Sequence, residues 1–246
     1  KYCLVQRAWS LYTHPDLAPN YNTQIDLDLN GIISGFPDPD LDPLPNRFFD
    51  LHGTAVAGLI GAQGNNGLGI SGVAYDSTIT GIRLIAETPT EFEVRDALTH
   101  RPQEISVYNN SWGFQQAREV LPVSAPVAQA FIDSIFLGRN GLGTIHVFAA
   151  GNDGGPLFDN AGFDGLAAHR FSIAVGAVDH DGRLTSYTEG GGNILLVAPS
   201  NDDPTGVLTT DLMGDDGYNA EGHLEDRTGG VRDFFADLDY TSPFGG

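Results

Sequence analysis

Residues 78–85 (TITGIRLI), 91–100 (EFEVRDALTH) and 104–108 (EISVY) decide the fold. The first and third are apolar or β-branched runs of strand length, and the second spaces its apolar residues as a helix does, so together they read as a β-α-β unit. The pattern recurs downstream. Residues 125–137 (APVAQAFIDSIFL) form a helix, 138–143 (GRNGLG) a turn, and 144–149 (TIHVFA), 171–178 (FSIAVGAV) and 193–198 (NILLVA) strands. Strands alternating with helices predict a parallel sheet covered on both faces, with the functional site at the carboxyl ends of the strands.

Outside this framework the pattern weakens. Residues 22–50 are acidic and proline-rich without helical or strand period, which predicts a long loop. Residues 202–246 contain one hairpin-type strand, 206–212 (GVLTTDL), in an otherwise irregular stretch. With no repeats and no linker, residues 1–246 are expected to form a single α/β domain.

Thirty-two acidic residues against 12 Lys and Arg give a formal charge of -20, which repels phosphate backbones and argues against a nucleic-acid partner. The surplus acid is either a solvated surface or a set of cation sites. Cys3, the single cysteine, cannot form an intramolecular disulfide. No run of about 18 apolar residues is present, so no membrane span is expected.

The strongest local motif is HGTAVAG at 52–58, a histidine opening a helix of small residues. Small side chains let such a helix pack closely on a sheet while the imidazole is held at the cleft as a general base. A lone HGT is more often an ordinary histidine before a helix, so its weight depends on the motifs downstream of it. NSWG (110–113) and AGNDG (150–154) each come after a strand, and VAP (197–199) lies beyond them.

In that order these motifs resemble the subtilase family of serine peptidases. HPDLAPNY (14–21), GVAYDSTITGIR (72–83), YTEG (187–190) and VLTTDL (207–212) are similar to its kexin/furin-like branch. The resemblance implies the subtilisin-like three-layer fold, truncated at both ends, and calcium-dependent hydrolysis of peptide bonds through an acyl-enzyme. It implies His52 as the base and Asn152 as the side-chain donor to the oxyanion, where loss of such a donor costs ~10²–10³ in turnover. Ser111, Trp112 and Gly113 match the extended segment that pairs with substrate backbone. Asp164 matches an acid of the pocket for basic side chains, and Gln116 stands where a second acid is expected. The alternatives are a turn asparagine at 152 and a buried tryptophan after a strand at 112.

Calcium is the implied cofactor. Asp16 with the loop 63–70 matches a structural site, to which Asn66 gives its side chain and Gln63, Leu68 and Ile70 their carbonyls. Asp159 with Glu189, and Asp40 with Asp42, match further sites, for which solvated carboxylates are the alternative. A peptide or protein is the implied substrate, a monomer is expected, and the resemblance implies a secreted, cell-surface or periplasmic location.

The resemblance breaks at two places. Counting back from His14 puts Arg7 where the family has the aspartate that orients the base, and 1–13 (KYCLVQRAWSLYT) does not read as the apolar strand expected there. FGG at 244–246 resembles the lead-in to the motif that presents the nucleophile, and no serine comes after it; Ser242 reads as a loop serine. The fragment is expected to be inactive as given, and a non-catalytic peptide-binding protein on the subtilase fold is the competing reading.

Overall fold

The computed structural model describes residues 2–7, 12–29, 32–33, 36–37, 51–85, 88–114, 118–155, 157–202, 206–214, 217–218 and 238–245. Its first strand corrects the sequence reading: β1 (Tyr2–Arg7) exists, and it lies in the middle of a seven-stranded sheet. Three two-residue strands come next, inside the stretch expected to be loop. These are β2 (Leu27–Asp28), β3 (Ile32–Ile33) and β4 (Phe36–Pro37), of which β2 joins the main sheet and the other two pair with each other. Elements this short carry no detectable period, and tertiary pairing creates them.

The predicted β-α-β unit is present. After α1 (His52–Gly61) come β5 (Thr78–Arg83), α2 (Glu91–Leu98) and β6 (Ile105–Asn110). Helix α2 starts where it does because Thr90 and Glu93 form a reciprocal cap. The Glu93 N–H donates to Thr90 Oγ1, and the Thr90 N–H donates to Glu93 Oε2 at 2.6 Å. Helix α3 (Ala125–Gly141) is interrupted at its end, where Gly138 leaves helical geometry and Arg139 and Asn140 take φ of 49° and 56°. That left-handed turn is the glycine-rich break predicted after residue 137. β7 (Ile145–Ala149), β8 (Ser172–Val178) and β9 (Ile194–Pro199) complete the main sheet.

The strand order is β2-β5-β1-β6-β7-β8-β9, and every pair in it is parallel. The chain leaves β1, forms β5 on one side, then crosses to β6 on the other. That reversal makes the carboxyl end of β1 a topological switch point, where such sheets bind ligands. α2 and α3 cover one face around Leu98, Ile105, Tyr108, Phe131 and Phe148, and α1 covers β1 and β5 on the other around Val5, Ala55, Val56 and Ile79.

The last strands also differ from expectation. β10 (Val207–Thr210) pairs antiparallel with β11 (Tyr240–Phe244), a remote partner instead of a local hairpin arm, and Ser242 lies in β11 instead of a loop. Among the described residues no helix covers the α1 side of β7–β9. Ile145 is 46% exposed there, Ile173 37% and Leu196 56%, each on the sheet face opposite the α3 core.

A polar network is sealed in the α3 core. Ser134 Oγ and His146 Nε2 lie 2.8 Å apart, Thr144 Oγ1 contacts both, and Tyr108 stacks on the imidazole at 4.7 Å. His146 is wholly buried, so burial, with His169 adding to it, pulls its pKa down to about 3. The folded state therefore keeps His146 neutral while an unfolded chain binds a proton below about 6.5. Stability is unaffected above that pH and falls by about 1.4 kcal/mol per unit from 6.5 toward 3. Between pH 6.5 and 5 urea unfolding should lose on the order of 2 kcal/mol that a His146→Gln variant does not lose. Equal acid sensitivity in the two proteins would refute this account.

Candidate active site

Helix α1 is made of small residues because β10 and β5 press on it. A Cβ on Gly58 would overlap Thr210 Oγ1, and one on Gly61 would overlap Ile79 Cγ2. The hydroxyls of Thr209 and Thr210 donate to the carbonyls of Ala55 and Thr54, fastening the helix to β10. This packing sets its direction. Gly61 lies over Ile79 near the start of β5, so His52, at ~1.5 Å per residue, is about 13 Å back along the helix. Four strand residues at ~3.3 Å cover the same distance to Arg83, which puts His52 level with the carboxyl ends of β5 and β1. Its half-buried ring meets the Phe244 ring at 5.1 Å, edge to face.

Asn152 stands just beyond β7, and its side chain is exposed. It gets there through Gly151, which takes φ of 112° and whose Cβ would overlap the Glu189 carboxylate, so no other residue fits. Residues 111–114 leave β6 at the same end of the sheet. Trp112 is buried and its ring packs on Phe148 at 5.9 Å, so that side chain serves the core and only the backbone of Ser111 and Gly113 remains to meet a substrate. Gly113 lies so close to Asp164 that a Cβ would overlap Oδ2. Asp164 is fixed by three backbone donors: Phe114 N at 2.9 Å on Oδ2, and Leu166 N at 2.7 Å and Ala167 N at 3.2 Å on Oδ1.

Beside them is a small cleft, with Phe114, Leu121 and Phe163 as apolar lining and Glu119, Asp159, Asp164 and Glu189 as acids. Sequence reasoning missed Asp153, although it directly follows Asn152. One carboxylate oxygen each from Asp153, Asp159 and Glu189 lie within 4.8 Å of one another. Burial pushes the Glu189 carboxyl up to about 7, with repulsion from Asp159, Asp153 and Asp164 adding to it, against the Asp153 N–H that donates to Oε1. The nearby Arg118 does not neutralise the group, because its backbone N–H bonds Asp159 while its guanidinium turns to the Leu157 carbonyl and the Phe158 ring. A hard divalent cation fits this oxygen set.

The structure also gathers Asp16 and the loop 63–70. Asp16 is fully buried; its Oδ1 accepts from Asn66 Nδ2 at 2.6 Å, and its Oδ2 accepts from Ile70 N at 3.0 Å and the Tyr240 hydroxyl at 2.9 Å. Gln63 N donates to the Asp16 carbonyl, and Leu68 N to Asn66 Oδ1. The Asn66 amide, the Ile70 N–H and the Tyr240 hydroxyl take up the Asp16 carboxylate, and Gln63, Leu68 and Ile70 are seen there through their N–H groups and not the carbonyls expected of them, so a cation here would have to displace these donors and reverse the Asn66 amide at the loss of its bond from Leu68 N. Asp40, Asp42 and Gln116 lie outside the described residues.

Two other nucleophile candidates are excluded. The Ser134–His146 pair has no solvent access, and burial pushes the Cys3 thiol up to about 12, where the reactive thiolate is scarce.

Fold and site together describe a parallel α/β sheet with helices on either side and a small polar cleft beyond the carboxyl ends of β6 and β7. The sequence profile described as the subtilase family matches residues 9–227, and the chain belongs to that family. It is similar to neuroendocrine convertase 2 of Drosophila melanogaster, with 36% identity over 82% of this chain and 31% of that protein. It is also similar to the dibasic-processing endoprotease of Schizosaccharomyces pombe, at 34% over 82% and 28%. The chain thus spans about a third of the curated relatives it matches. The crystal structure of a serine protease of Aeromonas sobria superposes with a TM-score of 0.82 at 26% identity, covering all of this chain and 44% of that one.

Proposed function

We propose that this chain is the base- and oxyanion-bearing part of a calcium-binding serine endopeptidase that cleaves beside basic residues. The observation that carries the reading is the position of His52 at the carboxyl ends of β5 and β1, with Asn152 beyond β7 at the same end of the sheet. In this reading His52 takes the proton of a serine hydroxyl and returns it to the leaving amine, and the Asn152 amide stabilises the developing oxyanion. Ser111 and Gly113 pair with the backbone of an extended peptide, and Asp164 attracts a basic side chain. The substrate is a peptide or protein, and the working form is a monomer. Calcium held by Asp153, Asp159 and Glu189, and by Asp16, Asn66 and the loop carbonyls, supplies charge neutralisation and loop rigidity. Such sites stay loaded where free calcium is high, outside the cytosol.

The test of the activity uses a chain carrying Arg7→Asp and the nucleophile-bearing segment of the Aeromonas sobria protease joined after Gly246. It should cleave a dibasic peptide, Asn152→Ala should cut turnover by ~10²–10³, and Asp164→Asn should erase the preference for arginine over leucine. Undiminished turnover in Asn152→Ala would overturn the assignment. Arg7 favours the second reading, a peptide-binding protein without catalysis, and a chain repaired in this way that binds the peptide without cutting it would establish that reading instead.

Calcium binding is tested separately. A ligand bound only by the folded state raises stability by about 2.7 kcal/mol at a hundredfold excess over Kd. Thermal melts in calcium and in chelator should therefore differ, and Asp16→Ala should lose most of the difference; coincident melts of the unaltered chain would sink the proposal.

A further inference from the structure

Tyr240 makes contacts that the functional reading does not use. Its hydroxyl donates to Asp16 Oδ2 at 2.9 Å across 224 residues of chain. Its ring fills a notch that exists only because residue 69 is glycine, since a Cβ on Gly69 would overlap Cζ, Cε1 and the hydroxyl of Tyr240. The ring also meets His14 edge-on at 5.2 Å, and His14 Nε2 lies 2.9 Å from the carbonyl of Asp239, the residue before the strand. The start of β11 is therefore seated on Asp16 and its surroundings as well as on β10.

The other end of the same strand is Phe244, whose ring packs on His52 at 5.1 Å and shares a core with Val5, Leu17, Val56 and Ile79. Four residues of extended chain, about 13 Å, separate Tyr240 from Phe244. β11 is further held by β10, which is fastened to the first turns of α1 through Thr209 and Thr210. A displacement at Tyr240 is passed along a paired strand whose far end touches the imidazole, because packed interiors of this kind transmit strain with little compliance.

We propose that Tyr240 is a positioning residue for His52, linking the Asp16 carboxylate through β11 and Phe244 to the orientation of the imidazole. This rests on His52 being the functional base, and it deepens that reading: the carboxylate that would hold a cation is the one that seats the strand beside the base. Whatever engages Asp16, whether the Tyr240 hydroxyl or a divalent cation, is read at His52.

A double-mutant cycle tests the link on the 246-residue chain, with the His52 imidazole proton and carbon resonances as readout. Asp16→Asn should move the His52 signals in the parent and move them about threefold less or not at all in Tyr240→Phe, which keeps the ring over Gly69 and removes only the hydroxyl. A purely structural tyrosine predicts a lower melting temperature with equal His52 responses in both backgrounds, and that result overturns the proposal. Should Tyr240→Phe not fold, Asp16→Asn alone decides, since a folded Asp16→Asn chain with unmoved His52 signals also overturns it. Calcium titration of the parent separates the two ideas. No calcium binding together with a His52 response to Asp16→Asn defeats the cation reading and leaves the link standing.

Discussion

The purified 246-residue chain should hydrolyse a fluorogenic dibasic peptide at about a millionth of the rate of a complete subtilase. A triad works as a unit, and in subtilisin losing the nucleophile alone costs about as much as losing all three members, ~10⁶ in turnover. The base has no task without a hydroxyl to deprotonate. The sequence holds no glycine-threonine-serine motif, Ser242 lies in β11 two residues before Phe244, and Ser134 is sealed in the core. What remains is assistance from the oxyanion donor and from binding, roughly 10³–10⁴ over water. Arg7→Asp alone should rescue nothing. An arginine offers five donors and no acceptor, so it cannot take the imidazole N–H as an aspartate does, yet replacing it orients a base that still lacks its partner. The assay should be run in calcium with an active-site serine probe. Probe labelling with turnover that disappears in His52→Ala would mean that another residue serves as nucleophile.

The largest expected loss of stability comes from Asp28→Ala. Asp28 Oδ2 and Arg83 Nη1 lie 2.8 Å apart with both side chains fully buried, on register partners at the carboxyl ends of β2 and β5. Removing one member of a buried pair leaves the other charged and desolvated, at a cost of about 3–5 kcal/mol. Arg95→Ala, which breaks an exposed pair with Asp96, should cost less than about 1 kcal/mol. Replacing both buried partners by apolar residues of similar size should recover most of the loss, because no uncompensated charge is then left. Urea midpoints measure all three, and an Asp28→Ala loss as small as that of Arg95→Ala would contradict the argument.

What could be read from the amino acids alone was what local pattern encodes. β5, α2, β6, α3, β7, β8 and β9 all lie within or beside the segments chosen from periodicity and turn residues; His52 opens α1 and Asn152 follows β7, and the roles given to them are the proposal above. β1 was passed over because its apolar run, YCLV, is only four residues long and gives way at once to Gln6 and Arg7; pairing with β5 on one side and β6 on the other makes it a strand. β11 was hidden by Pro243, which a ladder tolerates only at an edge or irregularity, and its register with β10 does shift. The metal-type clusters divide in the same way. Asp159 and Glu189 carried a motif, whereas Asp153 and Tyr240 gain their significance only from neighbours distant in sequence.

That the described residues leave the α1 side of β7–β9 without a helix has a consequence for how this polypeptide behaves as a colloid. Ile145, Ile173 and Leu196 form an oily surface, and beside them β9 is the last strand of the sheet and carries Leu195, which is 85% exposed. Attraction between such surfaces acts only at contact, while the formal charge of -20 repels at a distance. The reach of that repulsion is set by salt, about 30 Å at 0.01 M and about 3 Å at 1 M. Dilute buffer therefore keeps copies apart, and concentrated salt lets the oily faces meet, so the net charge governs the shelf life of this protein in solution.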